Sequence, residues 1–216
     1  MQKNMISFEA VTIGMQGRVL VHDVSFSIMA GEKAVLRGKS GSGKTTLLKA
    51  VVGGARITHG VIRVNGLAVL PENIQQIRQE LAYIPQEPGV SQETAAEDLL
   101  LPFSFKAHRG QEPTAAQIEA VLARLLLDPA ILRQKSATLS GGEKQRLVIA
   151  RAILLNKRTF LADEITSALD AESKQAVFSF LLESDHTVLS ISHDREWIGR
   201  CSRVFTIENG IFREEK

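Results

Sequence analysis

The run Gly38-Lys39-Ser40-Gly41-Ser42-Gly43-Lys44-Thr45 constrains this chain more than any other feature, because it fills every fixed position of G-x-x-x-x-G-K-[ST]. Four fixed positions recur by chance in a chain of this length on the order of one time in a hundred. The apolar run Ala34-Val35-Leu36 precedes it and Thr46-Leu47-Leu48-Lys49-Ala50 follows, so the loop lies between a strand and a helix. Its glycines let the backbone curl so that successive N–H groups point inward, and a helix starting near Lys44 adds its positive dipole end. The spacing predicts a cradle for the phosphates of a nucleoside triphosphate, formed by residues 38–45 with Thr46. Lys44 reaches the β- and γ-phosphates, and the Thr45 hydroxyl takes a place on Mg²⁺. A merely flexible glycine-serine loop explains neither the strand before it nor the helix after it.

Such a site needs a second, acidic element to hold the metal. Thr159-Phe160-Leu161-Ala162-Asp163-Glu164 supplies it, as an apolar strand ending in two carboxylates. Adjacent residues at a strand end point differently, which turns Asp163 toward Mg²⁺ and Glu164 toward an attacking water. Two carboxylates beside bound phosphate repel, which predicts a raised pKa and base behaviour for one of them.

Short β-like runs alternate with helical patterns along the whole chain, the mark of an α/β fold. Strands are expected at 6–11, 24–28 and 33–36, and at 61–64 and 67–69 around a type I′ Asn65-Gly66 turn. Antiparallel pairing there would flank a parallel core. The middle, roughly 87–156, reads as a helical insert within one domain spanning 1–216. Thr94 with Glu97 and Thr114 with Gln117 are spaced as capping boxes. After the second, Ile118, Val121, Leu122, Leu125 and Leu126 should line one buried face, with Asp128-Pro129 ending that helix. Strands at 159–162, 187–192 and 204–208, separated by about a dozen helical residues each, suggest parallel crossovers. Asn209-Gly210 then turns the chain into a final strand at 211–212.

Leu139-Ser140-Gly141-Gly142-Glu143 separates the classes of phosphate-loop protein. Ser140 and Glu143 form a capping box opening a helix with Leu147, Ala150, Ile153 and Leu154 on one face. Two glycines in a first turn cost helix stability; they make sense where bare N–H groups must approach an anion closely. Here the chain resembles the ATPase subunits of ABC transporters. The five residues match that family's signature, with Glu143 where Gln is commoner. Gln86 in Tyr83-Ile84-Pro85-Gln86 is similar to its Q-loop, Ser167-Ala168-Leu169-Asp170 to its D-loop, and His193 in Ser190-Ile191-Ser192-His193-Asp194 to its switch histidine. The resemblance covers nearly the whole chain, in order. It implies a P-loop NTPase with a mixed sheet, and a head-to-tail homodimer in which ATP and Mg²⁺ on one copy are covered by Ser140 and Gly142 of the other. Glu164 would polarise the water, His193 would hold it against the γ-phosphate, Gln86 would touch Mg²⁺ and sense a membrane partner, and Asp170 would carry signals across the interface. Where the family places an aromatic residue to stack on adenine, this chain has Met15 with Ile13 beside it. The Met15 thioether is expected to take that place, with weaker discrimination of ATP from GTP.

Composition narrows the partners. The net charge of +2 offers no broad basic face, so nucleic acid is not expected. The single cysteine, Cys201, leaves no intramolecular disulfide framework and fits a reducing compartment. No leader-like start is seen, and no apolar run reaches the ~18 residues of a membrane span. The expectation is a cytoplasmic protein, peripheral on the inner face of the cell membrane through a separate polytopic subunit. The run Ala96-Glu97-Asp98-Leu99-Leu100-Leu101-Pro102-Phe103 and Ile165 look most like the Fet/Ybb-type iron-export ATPases of bacteria. Lipoprotein-release and efflux-type ATPases are the competing readings. A soluble ABC-type ATPase of DNA repair or the ribosome would need long inserts or two linked units, and a small-molecule kinase would lack residues 139–143.

Overall fold

The computed structural model describes residues 3–15 and 18–215. Two long strands, β1 (Asn4–Met15) and β2 (Arg18–Met29), pair antiparallel, with the expected strands at 6–11 and 24–28 lying within them. β3 (Lys33–Arg37) runs into the glycine loop and α1 (Lys44–Val51) leaves it. β4 (Ile57–Val64) returns beside β1 and turns into β5 (Leu67–Ala68) through Asn65 and Gly66. Their φ values of 50° and 83° are both positive, as a type I′ turn requires.

Next come α2 (Ile74–Glu80) and β6 (Leu81–Ile84), neither legible in the hydrophobic pattern. A helical stretch follows, with α3 (Ala95–Leu100), α4 (Ala115–Arg124) and α5 (Gly141–Leu154) joined by short 3-10 turns. All three expected capping boxes form. The described chain closes with β7 (Thr159–Asp163), α6 (Ala171–Leu181), β8 (Thr187–Ile191), α7 (Arg195–Arg200), β9 (Arg203–Glu208) and β10 (Ile211–Glu214).

Among the described residues the strands make one mixed sheet in the order β5-β4-β1-β2-β10-β9-β3-β8-β7-β6. The run from β9 to β6 is parallel. The antiparallel ribbon joins it through β10, whose Ile211 pairs with His22 of β2. Strands buried on both faces read as continuous apolar runs, and β7 and β8 are buried along their whole length. Strand alternation then sorts side chains between two cores. Val35, Phe160, Ala162 and Val188 join the helical stretch, α6 and α7 on one face. Ala34, Leu36, Leu161 and Leu189 join α1 and the antiparallel ribbon on the other.

One helix end departs from expectation. α4 stops at Arg124, and Leu126 is 43% exposed at φ +56° rather than buried. Leu126 N donates to the Ala123 carbonyl at 3.1 Å and Leu127 N to the Leu122 carbonyl at 2.9 Å. This is a Schellman end with a leucine in the left-handed position that glycine usually takes. Asp128 does not end that helix; its carboxylate accepts from Ala130 N at 2.8 Å and opens the 3-10 turn Pro129–Arg133.

Candidate functional site

β3, with four of its five residues buried, delivers the glycine loop from the centre of the sheet. A Cβ on Gly38 (φ +136°) would come within 2.2 Å of the Ile207 carbonyl oxygen, and one on Gly43 (φ +97°) within 2.5 Å of Val21 Cγ2. The curl of the loop therefore depends on hydrogen at both positions. Gly43 caps α1 without any side-chain acceptor, so the N–H groups of the first turn stay open to an anion. Lys39, Ser40 and Gly41 are exposed, Thr45 and Thr46 half-buried. The Ser42 hydroxyl oxygen is buried without a hydrogen-bond partner among the described residues. A phosphate oxygen in the loop would give it one, so the residues present fit a nucleotide's phosphates. The Lys44 ammonium folds over the loop, donating to the carbonyls of Gly38 at 2.9 Å and Lys39 at 3.0 Å. Burial lowers its pKa, while the charges of Glu164 and Asp163 pull it back up.

Asp163 ends β7 on the same side as Leu161, the α1 side, as strand alternation requires. Thr45 Oγ1 donates to its Oδ1 at 3.2 Å, and Tyr83 Oη to its Oδ2 at 3.3 Å. A hydroxyl and a carboxylate oxygen side by side are hard donors suited to Mg²⁺, which commonly takes one or two protein oxygens and completes its shell with phosphate and water. Burial pushes the Asp163 carboxyl above the usual carboxylate range; the hydroxyls of Thr45 and Tyr83 oppose the shift and Glu164 adds to it. The raised carboxyl is thus the one paired with Thr45, with burial as the leading cause and repulsion by Glu164 a lesser one, so the expected raised pKa falls on the residue expected to face Mg²⁺ and not on the expected base. Tyr83 was not legible as a site residue. Its phenol is pushed upward by burial and the neighbouring Asp163 charge. Its one signal is its place two residues after Leu81, on the face that reaches the second core.

Glu164 leaves the strand at φ +48°, anchored by its N–H to the Ile191 carbonyl at 2.9 Å. Gln86, just beyond β6, donates from Nε2 to Glu164 Oε2 at 3.2 Å, and His193 Nε2 lies 3.6 Å from Oε1. A cavity of about 150 Å³ opens between Glu164, Ser192, His193 and Asp194. Asp194 caps α7 by accepting from Glu196 N at 2.9 Å, and Lys174 of α6 holds its other oxygen at 2.7 Å. That pair, unforeseen in the sequence, fixes the loop carrying His193.

The remaining expected residues lie apart from this group. The hydrogen bonds of Ser140 and Glu143 are reciprocal: Ser140 N and Oγ donate to Glu143 Oε2 at 2.8 and 2.7 Å, and Glu143 N donates to Ser140 Oγ at 3.2 Å. They hold the Glu143 carboxyl below its usual range. A Cβ on Gly142 would sit 3.1 Å from the Ala168 carbonyl oxygen, whereas one on Gly141 would meet nothing within 4 Å. Contacts within this copy therefore do not explain glycine at 141. Asp170 caps α6, accepting from Ser173 N at 2.8 Å and Ser173 Oγ at 3.0 Å, which lowers its pKa. Arg146 Nη1 of α5 donates to the same Ser173 hydroxyl at 2.7 Å. Met15 ends β1 opposite Arg18; its side chain lies outside the described part of the structure.

Comparison with known proteins agrees with this geometry. The model of the ABC transporter family matches residues 21–167, taking in the glycine loop, the signature turn and both carboxylates. The chain is 33% identical over 193 residues to the probable iron export ATP-binding protein FetA of Escherichia coli, covering 88% of this chain and 84% of that one. It is 32% identical over 220 residues to an ATP-dependent lipid A-core flippase of Haemophilus influenzae, covering 98% of this chain but 38% of the flippase. The chain thus spans less than two fifths of that relative's length. Among solved structures, the dimeric bacterial ABC transporter cassette MJ0796 superposes with a TM-score of 0.87 at 27% identity, covering 98% of each chain; the same cassette is also known in a post-hydrolysis state with ADP and Pi. With the loop, the carboxylate paired with Thr45 and the signature turn in place, this chain belongs to the ABC transporter family and has the fold of its ATP-binding cassette, a P-loop NTPase.

Proposed function

We propose that the chain hydrolyses ATP with Mg²⁺ as one half of a head-to-tail homodimer and drives a separate polytopic membrane subunit on the cytoplasmic face of the cell membrane. The observation that carries the catalytic reading is the convergence of Gln86 and His193 on Glu164, at 3.2 and 3.6 Å, one residue beyond the carboxylate paired with Thr45. In this reading Lys44 and the loop N–H groups bind the β- and γ-phosphates. Thr45, Asp163 and Gln86 hold Mg²⁺, which when bound neutralises phosphate charge. Glu164 accepts the proton of the attacking water as its oxygen bonds to the γ-phosphorus and the bond to the ADP oxygen breaks. His193 holds that water in line. The chemistry is positioning and charge stabilisation, with no covalent intermediate on the protein.

The dimer reading is supported by Gly141, open to solvent in a first turn that glycine weakens, and by the dimeric MJ0796 cassette. Ser140 and Gly142 of one copy then close over ATP on the other, and Asp170 lies at the joint. Small-angle scattering with Mg²⁺ and a non-hydrolysable ATP analogue is expected to give twice the monomer mass. Occupied, solitary protomers would overturn it. A membrane subunit is supported by the export relatives.

For the cargo we infer iron or another metal ion, exported. The support is the likeness to FetA across most of both chains, together with the 96–103 run and Ile165. Deleting the coding frame is expected to lower the host's tolerance of excess iron, with tolerance restored by re-expression. Unchanged tolerance would favour the lipoprotein-release or efflux reading instead.

A further inference from the structure

Asp98 is only 1% exposed, in α3 of the helical stretch. Its Oδ1 accepts from the backbone N–H of Ser91 at 3.0 Å and of Gln92 at 3.3 Å, and its Oδ2 accepts from the hydroxyl of Ser136. Arg151 of α5 donates to its backbone carbonyl at 3.4 Å. Burying a carboxylate is rarely the best route to stability, since apolar residues of similar volume often serve as well. What the carboxylate does here is join three pieces of chain. Ser91 and Gln92 lie on the segment leading away from Gln86, and Ser136 opens the 3-10 turn Ser136–Thr138 that leads into Ser140.

The backbone adds to the same joint. Ala95 N donates to the Gln134 carbonyl at 3.0 Å, Ser136 N to the Glu93 carbonyl at 3.0 Å, and Thr94 bridges Lys135 antiparallel. Gln145, one turn into the signature helix α5, donates to the Pro85 carbonyl at 3.4 Å. The residue before Gln86 and the helix after Ser140 are thus also in touch.

We propose that Asp98 is a positioning residue that binds the segment following Gln86 to the segment preceding Ser140, so that the two move as one body. On the functional reading above, on which the consequence rests, Gln86 faces the nucleotide of its own copy and Ser140 that of the other. A displacement at one site is then delivered to the other through this carboxylate. Asp98 touches no substrate.

The test is hydrogen exchange by mass spectrometry on the full chain without nucleotide. Asp98→Ala is expected to speed exchange tenfold or more at amides 91–97 and 136–143 together, leaving α1 unchanged. Asp98→Asn should stay near wild type, because its amide oxygen accepts from Ser91 and Gln92 while its NH₂ donates to the Ser136 hydroxyl. Ser136→Ala should loosen the same two segments to a lesser degree, and it carries the test if Asp98→Ala does not fold. Loosening of 91–97 alone overturns the proposal. In a Glu164→Gln background, Asp98→Ala is expected to weaken the ATP-held two-copy complex tenfold or more, with Asp98→Asn restoring it and ATP affinity of the single copy unchanged. An unweakened complex also overturns it. If the Glu164→Gln parent forms no such complex, the dimer reading falls, while the exchange result still decides the role of Asp98.

Discussion

Glu164→Gln is expected to lower ATP turnover on the order of 10²–10⁴-fold, the usual contribution of a positioned general base, while leaving ATP binding intact. Glutamine has nearly the same shape and keeps an oxygen to accept from Gln86, now at 3.2 Å from the carboxylate. It no longer takes a proton from water. The phosphate cradle of residues 38–45 and the Thr45–Asp163 pair, at 3.2 Å, are untouched by the change. Unhydrolysed ATP should then hold two copies together, so the variant is expected to elute as a dimer with Mg²⁺-ATP while wild type returns to the monomer as it turns over. Phosphate release and elution volume measured side by side decide the matter. Turnover within a few-fold of wild type would remove Glu164 from the chemistry, and identical monomeric elution would remove the ATP-held dimer.

Lys44→Met is expected to weaken ATP binding by roughly 10- to 150-fold, the effect of losing a hydrogen bond to a charged group worth about 1.5–3 kcal/mol. Methionine fills much of the space of the lysine stem, so the change is chiefly one of charge. The ammonium sits over the loop, held by the Gly38 and Lys39 carbonyls at 2.9 and 3.0 Å, already placed for phosphate. Burial lowers its pKa, so part of its charge stabilisation is conditional on nearby anions. Titration calorimetry with a non-hydrolysable analogue measures the loss, and a dissociation constant within threefold of wild type would place phosphate recognition elsewhere in the loop.

The parts of this molecule readable in one dimension are those whose physics is local. A glycine loop between a strand and a helix, capping boxes at Thr94, Thr114 and Ser140, and Asn-Gly turns at 65 and 209 each depend on residues within a few positions. Asn209 and Gly210, at φ 52° and 78°, turn β9 into β10 as expected. The two carboxylates after an apolar strand were legible for the same reason. At Leu126 the local signal misled: helical spacing extended the buried face one residue too far, because a leucine adopted a backbone conformation that spacing does not report.

What spacing does not contain is which strand lies beside which. The order placing β3 between β8 and β9, with β7 next to β6, brings Tyr83, Gln86, Asp163, Glu164 and His193 around one loop. These pairings join residues far apart along the chain, Ala34 with Arg203 being 169 positions apart, and are chosen by burial on both faces at once. The Lys174–Asp194 pair and the buried Asp98 exist for the same reason. A charged side chain on a helix looks solvated until the neighbouring element is known, and only packing in three dimensions turns it into a joint.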